Sequence, residues 1–183
     1  MKFFILIFVC FFFSVGLTIA QNQYSRDFEL LNYLACTVEE NALVNARLIS
    51  WKNSGYNSFS KINPINFNFG RNQGEQKRLD FRSLLDQDQI LKINEVLESD
   101  LPLEIDSEML SCSVKLNYAK GFVPKKTIYS YSYPIVISGK DQELYGLILG
   151  SETFELNYEL NLKLYVKRED SWDLVYEELL GFS

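Results

Sequence analysis

Residues 154–167 read FELNYELNLKLYVK, and their alternation decides the fold. Phe154, Leu156, Tyr158, Leu160, Leu162, Leu164 and Val166 fall on one side of an extended chain, and Glu155, Asn157, Glu159, Asn161, Lys163, Tyr165 and Lys167 fall on the other. Successive side chains of a strand point to opposite faces, so the pattern predicts a half-buried strand. Downstream, turn residues 168–171 lead into Trp172, Leu174 and Tyr176, a final antiparallel strand. Upstream, residues 131–149 (YSYPIVISGKDQELYGLIL) predict a hairpin. In it Tyr129, Tyr131, Tyr133, Ile135 and Ile137 share a face, Gly139 to Gln142 turn, and Leu144 to Leu149 return. Pro134 has no N–H to give to a ladder, which puts this strand at an edge or gives it a bulge.

The same period of two recurs in Leu110, Cys112, Val114, Leu116 and Tyr118, which alternate with Ser111, Ser113, Lys115 and Asn117. Nearer the N-terminus the period becomes helical. Ser25 can cap a helix whose apolar stripe is Phe28, Leu31, Ala35, Val38, Ala42, Ala46 and Ile49. A second helix opens at Asp86, with Gln89 three residues on as in a capping box and Leu85 placed to pack on Ile90. Its stripe is Ile90, Ile93, Val96 and Leu97, and Pro102 ends it. The expected class is α+β, with two main N-terminal helices packed on one face of a curved antiparallel sheet of four to five strands.

Residues 1–20, MKFFILIFVCFFFSVGLTIA, combine a basic Lys2, an apolar run and a small-residue ending at Thr18 and Ala20, the pattern of a secretory signal peptide cut before Gln21. Residues 21–183 are then one exported domain, periplasmic or extracellular, with no membrane contact after cleavage. Net charge is −6, and loss of Lys2 makes it one unit more negative. Such a surface repels nucleic acid, which is excluded as a partner. There is no histidine, so Ser-His-Asp and Cys-His catalysis and HExxH zinc sites are absent. No cofactor is implied. DQDQILKINEVLE lacks the glycine and terminal glutamate of an EF-hand loop, so no metal site is expected. Of the three cysteines, Cys36 and Cys112 survive processing, and export favours a disulfide between them, tying the first helix to the sheet.

Two sets of residues could carry function. Residues 51–78, rich in Asn, Ser and Gly, hold Trp51, Tyr56, Phe59, Phe67 and Phe69. They read as a ligand loop or, preferably, as a covering loop with a short strand at Ile65 to Phe69. The Tyr131–Tyr133 stripe reads as a platform for sugar or peptide or, preferably, as a buried aromatic ladder, since Ile135 and Ile137 continue its face. Trp51, Tyr56, Phe59, Tyr131 and Tyr133 are therefore the candidate binding surface. The carboxylate groupings are Asp86 with Asp88, and Glu104, Asp106 and Glu108. The first has a capping role and the second lies on the polar side of a strand and its turn, so no catalytic residue is assigned.

Tyr131-Ser132-Tyr133-Pro134-Ile135-Val136-Ile137-Ser138, the turn with Asp141, the apolar strand Leu144 to Leu149, the alternating strand ending Leu164-Tyr165-Val166-Lys167, and Trp172 together resemble the C-terminal half of small exported bacterial proteins of unassigned function. The Leu84-Leu85-Asp86 helix start with Gln89 resembles them too. Those relatives often carry cysteines between the two middle strands, where Gly150-Ser151-Glu152 stands here. The stretch Lys167 to Trp172 also resembles nuclear-transport-factor-2-like domains, a cone-shaped α+β fold with a pocket. The expected function is an exported, non-catalytic protein that binds a protein or glycan of its surroundings. The alternative is a nuclear-transport-factor-2-like pocket protein or a carboxylate-based hydrolase.

Overall fold

The computed structural model describes residues 26–54, 81–119 and 123–182. Among these residues it is α+β, with three helices and a seven-stranded, mostly antiparallel sheet. The elements run α1 (residues 26–36), β1 (Leu43–Asn45), α2 (Phe81–Leu84), α3 (Gln87–Glu98), β2 (Leu116–Asn117), β3 (Thr127–Tyr131), β4 (Ile135–Ser138), β5 (Leu144–Phe154), β6 (Asn157–Arg168) and β7 (Ser171–Phe182). Strand order is β2-β1-β3-β5-β6-β7, with β4 also paired to β5. The sheet thus exceeds the expected four to five strands, and β1 runs parallel to both β2 and β3.

The long alternating stretch is two strands. Glu155 at φ 52° and Leu156 form the turn, Phe154 pairs with Asn157, and β5 continues straight through Gly150-Ser151-Glu152. A two-residue loop fits inside an alternating pattern without interrupting it, which is why the turn leaves no mark in the apolar period. Beyond it the alternation holds: Leu162, Leu164 and Val166 are buried on one face. Tyr165, on the opposite face, is buried as well.

Both faces of the sheet are covered, because the helices do not share one. One core joins Phe81 of α2, Leu85, and Ile93 and Leu97 of α3 to Leu147, Leu149, Leu162, Leu164, Val166 and Tyr176. The Phe81 and Tyr176 rings meet edge to face at 5.2 Å. The other core joins Phe28, Leu30, Leu31, Leu34 and Ala35 of α1 to Val44, Tyr131, Tyr133, Ile148, Tyr165 and Trp172. This corrects the expected packing of both helices on one face. A strand buried on both sides reads as a continuous apolar run, as Leu147-Ile148-Leu149 does.

The capping box of α3 is present: Asp86 accepts from the Gln89 N–H at 2.8 Å and Gln89 returns a bond to the Asp86 N–H at 2.7 Å. The helix stops at Glu98, ahead of Pro102, where Ser99 caps it by bonding the Val96 carbonyl. The first helix also stops early. It ends at residue 36, and residues 42–48 are extended, with Ala42, Val44, Ala46 and Leu48 all buried. Ala42, Ala46 and Ile49 suit a helical stripe, but the stronger signal is the period of two between them. The expected strand from Leu110 to Tyr118 shrinks to Leu116–Asn117. Ser25 and the expected strand from Ile65 to Phe69 lie outside the described residues.

Cys36 and Cys112 sit at disulfide distance, Cα atoms 5.8 Å apart, joining α1 to the irregular segment before β2. Cys112 is exposed, so the link lies at the periphery rather than in the strand face expected for it. Beside it, Asn32 donates to the Ser111 hydroxyl at 2.9 Å and accepts from the Ser111 N–H at 2.7 Å. These bonds already hold the junction, so the cross-link acts mainly on the unfolded chain, with a separation of 76 residues. Chain entropy sets an upper figure of about 4.5 kcal/mol for a loop of that size. Cys36→Ser is expected to lower the urea midpoint while leaving the folded near-UV circular dichroism unchanged; an unchanged midpoint would show that no link forms.

Gly146 gives a sharper test of the two-faced core. A Cβ there would lie 2.3 Å from Leu30 Cδ2 and 3.2 Å from Trp172 Cζ3, in the seam between α1 and the sheet. Gly146→Ala is expected to cost about 1–3 kcal/mol by overpacking. A neutral result in chemical denaturation would mean that α1 is not seated on that face.

Candidate functional site

The α2–α3 layer covers only the β4–β7 half of its face. Over β1, β3 and the far end of β5, the same face carries a cleft of about 590 Å³, within the span of small-molecule sites. Its floor is a row of polar side chains set by strand register. Asn117 pairs with Asn45 across β2–β1, and Ser130 pairs with Ser151 across β3–β5. Val44 pairs with Tyr129, which places Asn45 beside Ser130. The row therefore runs Asn117, Asn45, Ser130, Ser151 over four adjacent strands.

Hydrogen bonds run along it. The Asn117 Nδ2 donates to Asn45 Oδ1 at 2.8 Å, and the Asn45 Nδ2 donates to Ser130 Oγ at 2.7 Å. Asn117 Oδ1 accepts from the Ala119 N–H at 3.2 Å, which holds that amide in place. Ser151 is 4% exposed, lines the cleft, and its hydroxyl has no hydrogen-bond partner among the described residues. Ile128, Thr153 and Tyr158 extend the floor toward the β5–β6 turn. Tyr118, 76% exposed, stands on the rim, and Arg47 and Glu104, which face each other across an isolated bridge, also line the cleft.

The candidate binding surface lies elsewhere. Trp51, Tyr131 and Tyr133 are buried, and the Trp51 indole N–H donates to the Tyr133 carbonyl at 2.8 Å. Tyr131 and Tyr133 belong to the α1-face core, and burial raises the Tyr131 phenol well above its ordinary range. Ile135, however, points to the opposite core. Tyr56 and Phe59 lie outside the described residues. Of the carboxylates, Asp86 caps α3, Asp106 caps a short 3-10 turn by accepting from the Glu108 N–H at 3.1 Å, and Asp88 and Glu108 are exposed. Glu104 alone of them borders the cleft. Among the described residues no group of His, Cys, Asp and Glu could hold a metal ion.

No family model matches the chain, and neither a curated protein nor a solved structure is found similar to it. The cleft therefore rests on its own geometry. Sequence reading missed all four floor residues, although each is a polar residue inside an apolar strand. Asn117 was placed on the solvent face of a longer strand; in fact it is 9% exposed.

The two ends of the row should respond differently to truncation. Asn45→Ala strips partners from both Asn117 and Ser130 and is expected to cost about 1–2 kcal/mol. Ser151→Ala removes a hydroxyl with nothing bound to it and is expected to change stability by less than about 0.5 kcal/mol. Equal losses in thermal unfolding would contradict this geometry.

Proposed function

We propose that the chain is an exported, non-catalytic protein that binds a component of its surroundings in the cleft over β1, β3 and β5. The observation that carries the reading is the row Asn117–Asn45–Ser130–Ser151, a polar strip on a sheet face that lines the cleft, linked by hydrogen bonds from Asn117 to Ser130. A few polar groups converging on the floor of a cleft are what orients a bound ligand. Export is supported by the leader-like residues 1–20 and by a cysteine pair at disulfide distance, which suits an oxidising compartment.

The non-catalytic part rests on chemistry. Carboxylate hydrolysis of the glycosidase kind uses two carboxyl groups about 5–9.5 Å apart across the bond to be cut. Glu104 is the single acidic residue among those described along the cleft, and it shares the rim with Arg47. The absence of histidine removes the commonest alternative base.

Intact-mass measurement of the exported fraction of a producing cell tests the first half. A chain beginning at Gln21 is expected, and a full-length chain found only in the membrane would overturn export. For the second half, nitrogen-15 spectra of the protein titrated with soluble envelope extract are expected to shift the Asn45 and Asn117 side-chain amides. Shifts confined to surfaces away from them would overturn the cleft as the binding site.

A further inference from the structure

We infer that the ligand of this cleft is an uncharged saccharide, held by its hydroxyl groups on the Asn117–Asn45–Ser130–Ser151 row and by a ring face against Tyr118. The inference rests on the cleft being the binding site and adds the class of molecule that it takes.

The floor is neutral and mixed. After the internal bonds are counted, Asn117 and Asn45 each keep one amide N–H, and the Ser130 and Ser151 hydroxyls keep their protons. Asn45 Oδ1 and the two hydroxyl oxygens keep acceptor capacity. Each strand of the row thus offers a donor, and most offer an acceptor beside it. An ionised carboxylate or phosphate only accepts, and an ammonium only donates. Either would leave half of these groups unpaired on desolvation, at a cost of binding. A hydroxyl does both, so a polyol satisfies the row whichever way each partner is turned.

Spacing separates a saccharide from an extended peptide. The row crosses the strands, so its groups repeat at the inter-strand distance of about 4.8 Å. A peptide in extended form presents same-side polar groups about every 6.6 Å, two residues apart, and falls out of step after one contact. The sheet beneath is paired on both sides at β1, β3 and β5, so among the described residues the row meets a sheet edge only at β2, which is two residues long and gives a peptide backbone little to pair with. At the rim, Tyr118 presents an exposed ring that combines an apolar face with a polar tip. At the other end of the row, Tyr158 of β6 lies half-buried along the floor.

Maltotriose, cellotriose and triacetylchitotriose at millimolar concentration, with trialanine and trilysine as comparators, supply the test. Side-chain amide shifts of Asn45 and Asn117 are expected on addition of at least one trisaccharide. Tyr118→Ala, a change at an exposed residue, is expected to weaken that binding by at least about fivefold, as truncation of a contact anchor does. Ser151→Ala is expected to weaken it by about two- to tenfold, the worth of one hydrogen bond, with the fold intact. If the same amides shift with a tripeptide and with none of the sugars, the saccharide is overturned while the cleft stands. If no probe shifts them, or the sugars bind with Tyr118→Ala and Ser151→Ala both without effect, the inference falls.

Discussion

One extra residue between β3 and β4 shapes this molecule. From Tyr131 to Ile135 the chain advances four positions while its partner β5 advances three, from Gly150 to Leu147. That is the count of a β-bulge, and it turns every later side chain to the other face. Tyr131 and Tyr133 therefore enter the α1 core, and Ile135 enters the α2–α3 core. A bulge in a buried strand must still satisfy its backbone, and side chains from distant segments do so. Ser132 donates its N–H to the Leu149 carbonyl at 2.8 Å and accepts the Leu149 N–H on its hydroxyl at 2.9 Å. Trp51 covers the Tyr133 carbonyl, Asp27 of α1 accepts the Val136 N–H at 3.0 Å, and Gln89 of α3 donates to the Ser138 carbonyl. The outer edge of β4 is thus bonded by side chains of α1 and α3, which blunts it against pairing with another strand.

The cleft follows from the same arrangement. α3 bonds to Ser138 and the end of α2 accepts from the Lys140 N–H, so their layer lies over that half of the sheet, and among the described residues no helix lies over the face of β1, β3 and the end of β5. Apolar side chains on that face would leave a surface prone to association; Asn45, Asn117, Ser130 and Ser151 make it polar instead. Peripheral links complete the frame. Lys167 bridges from β6 to Glu29 of α1 and lies 5.4 Å from the Trp172 ring, and Asp141 takes the Tyr145 hydroxyl at 2.6 Å in the β4–β5 turn. That hydrogen bond holds the Asp141 carboxyl below its ordinary range.

What was legible in the chain was local. The Asp86–Gln89 box, the alternation through Leu162 to Val166 and the turn before Trp172 depend on residues whose chemistry acts over a few positions, and the approach of Cys36 to Cys112 followed from there being two cysteines beyond residue 20. What was not legible was set at long range. The segment around Val44 forms a strand only because 116–117 and 128–129 flank it in parallel, and nothing in its own residues names those partners. The face switch hangs on a single residue near Pro134, which signals a bulge without saying which core each tyrosine meets. The cleft floor draws on four strands separated by up to 106 positions in sequence, from Asn45 to Ser151; alone, each of its residues looks like a solvent-facing interruption.

The bulge is tested most directly at Ser132, whose hydroxyl stands in for a ladder acceptor. Urea unfolding and amide exchange of Ser132→Ala should together show a loss of about 1–3 kcal/mol, the cost of stranding the buried Leu149 N–H, with the exchange of Leu149 accelerated beyond that of Leu147 on the same strand. Unchanged stability with Leu149 still protected would mean that an unbroken ladder runs through this point, and the two-core account would fail with it.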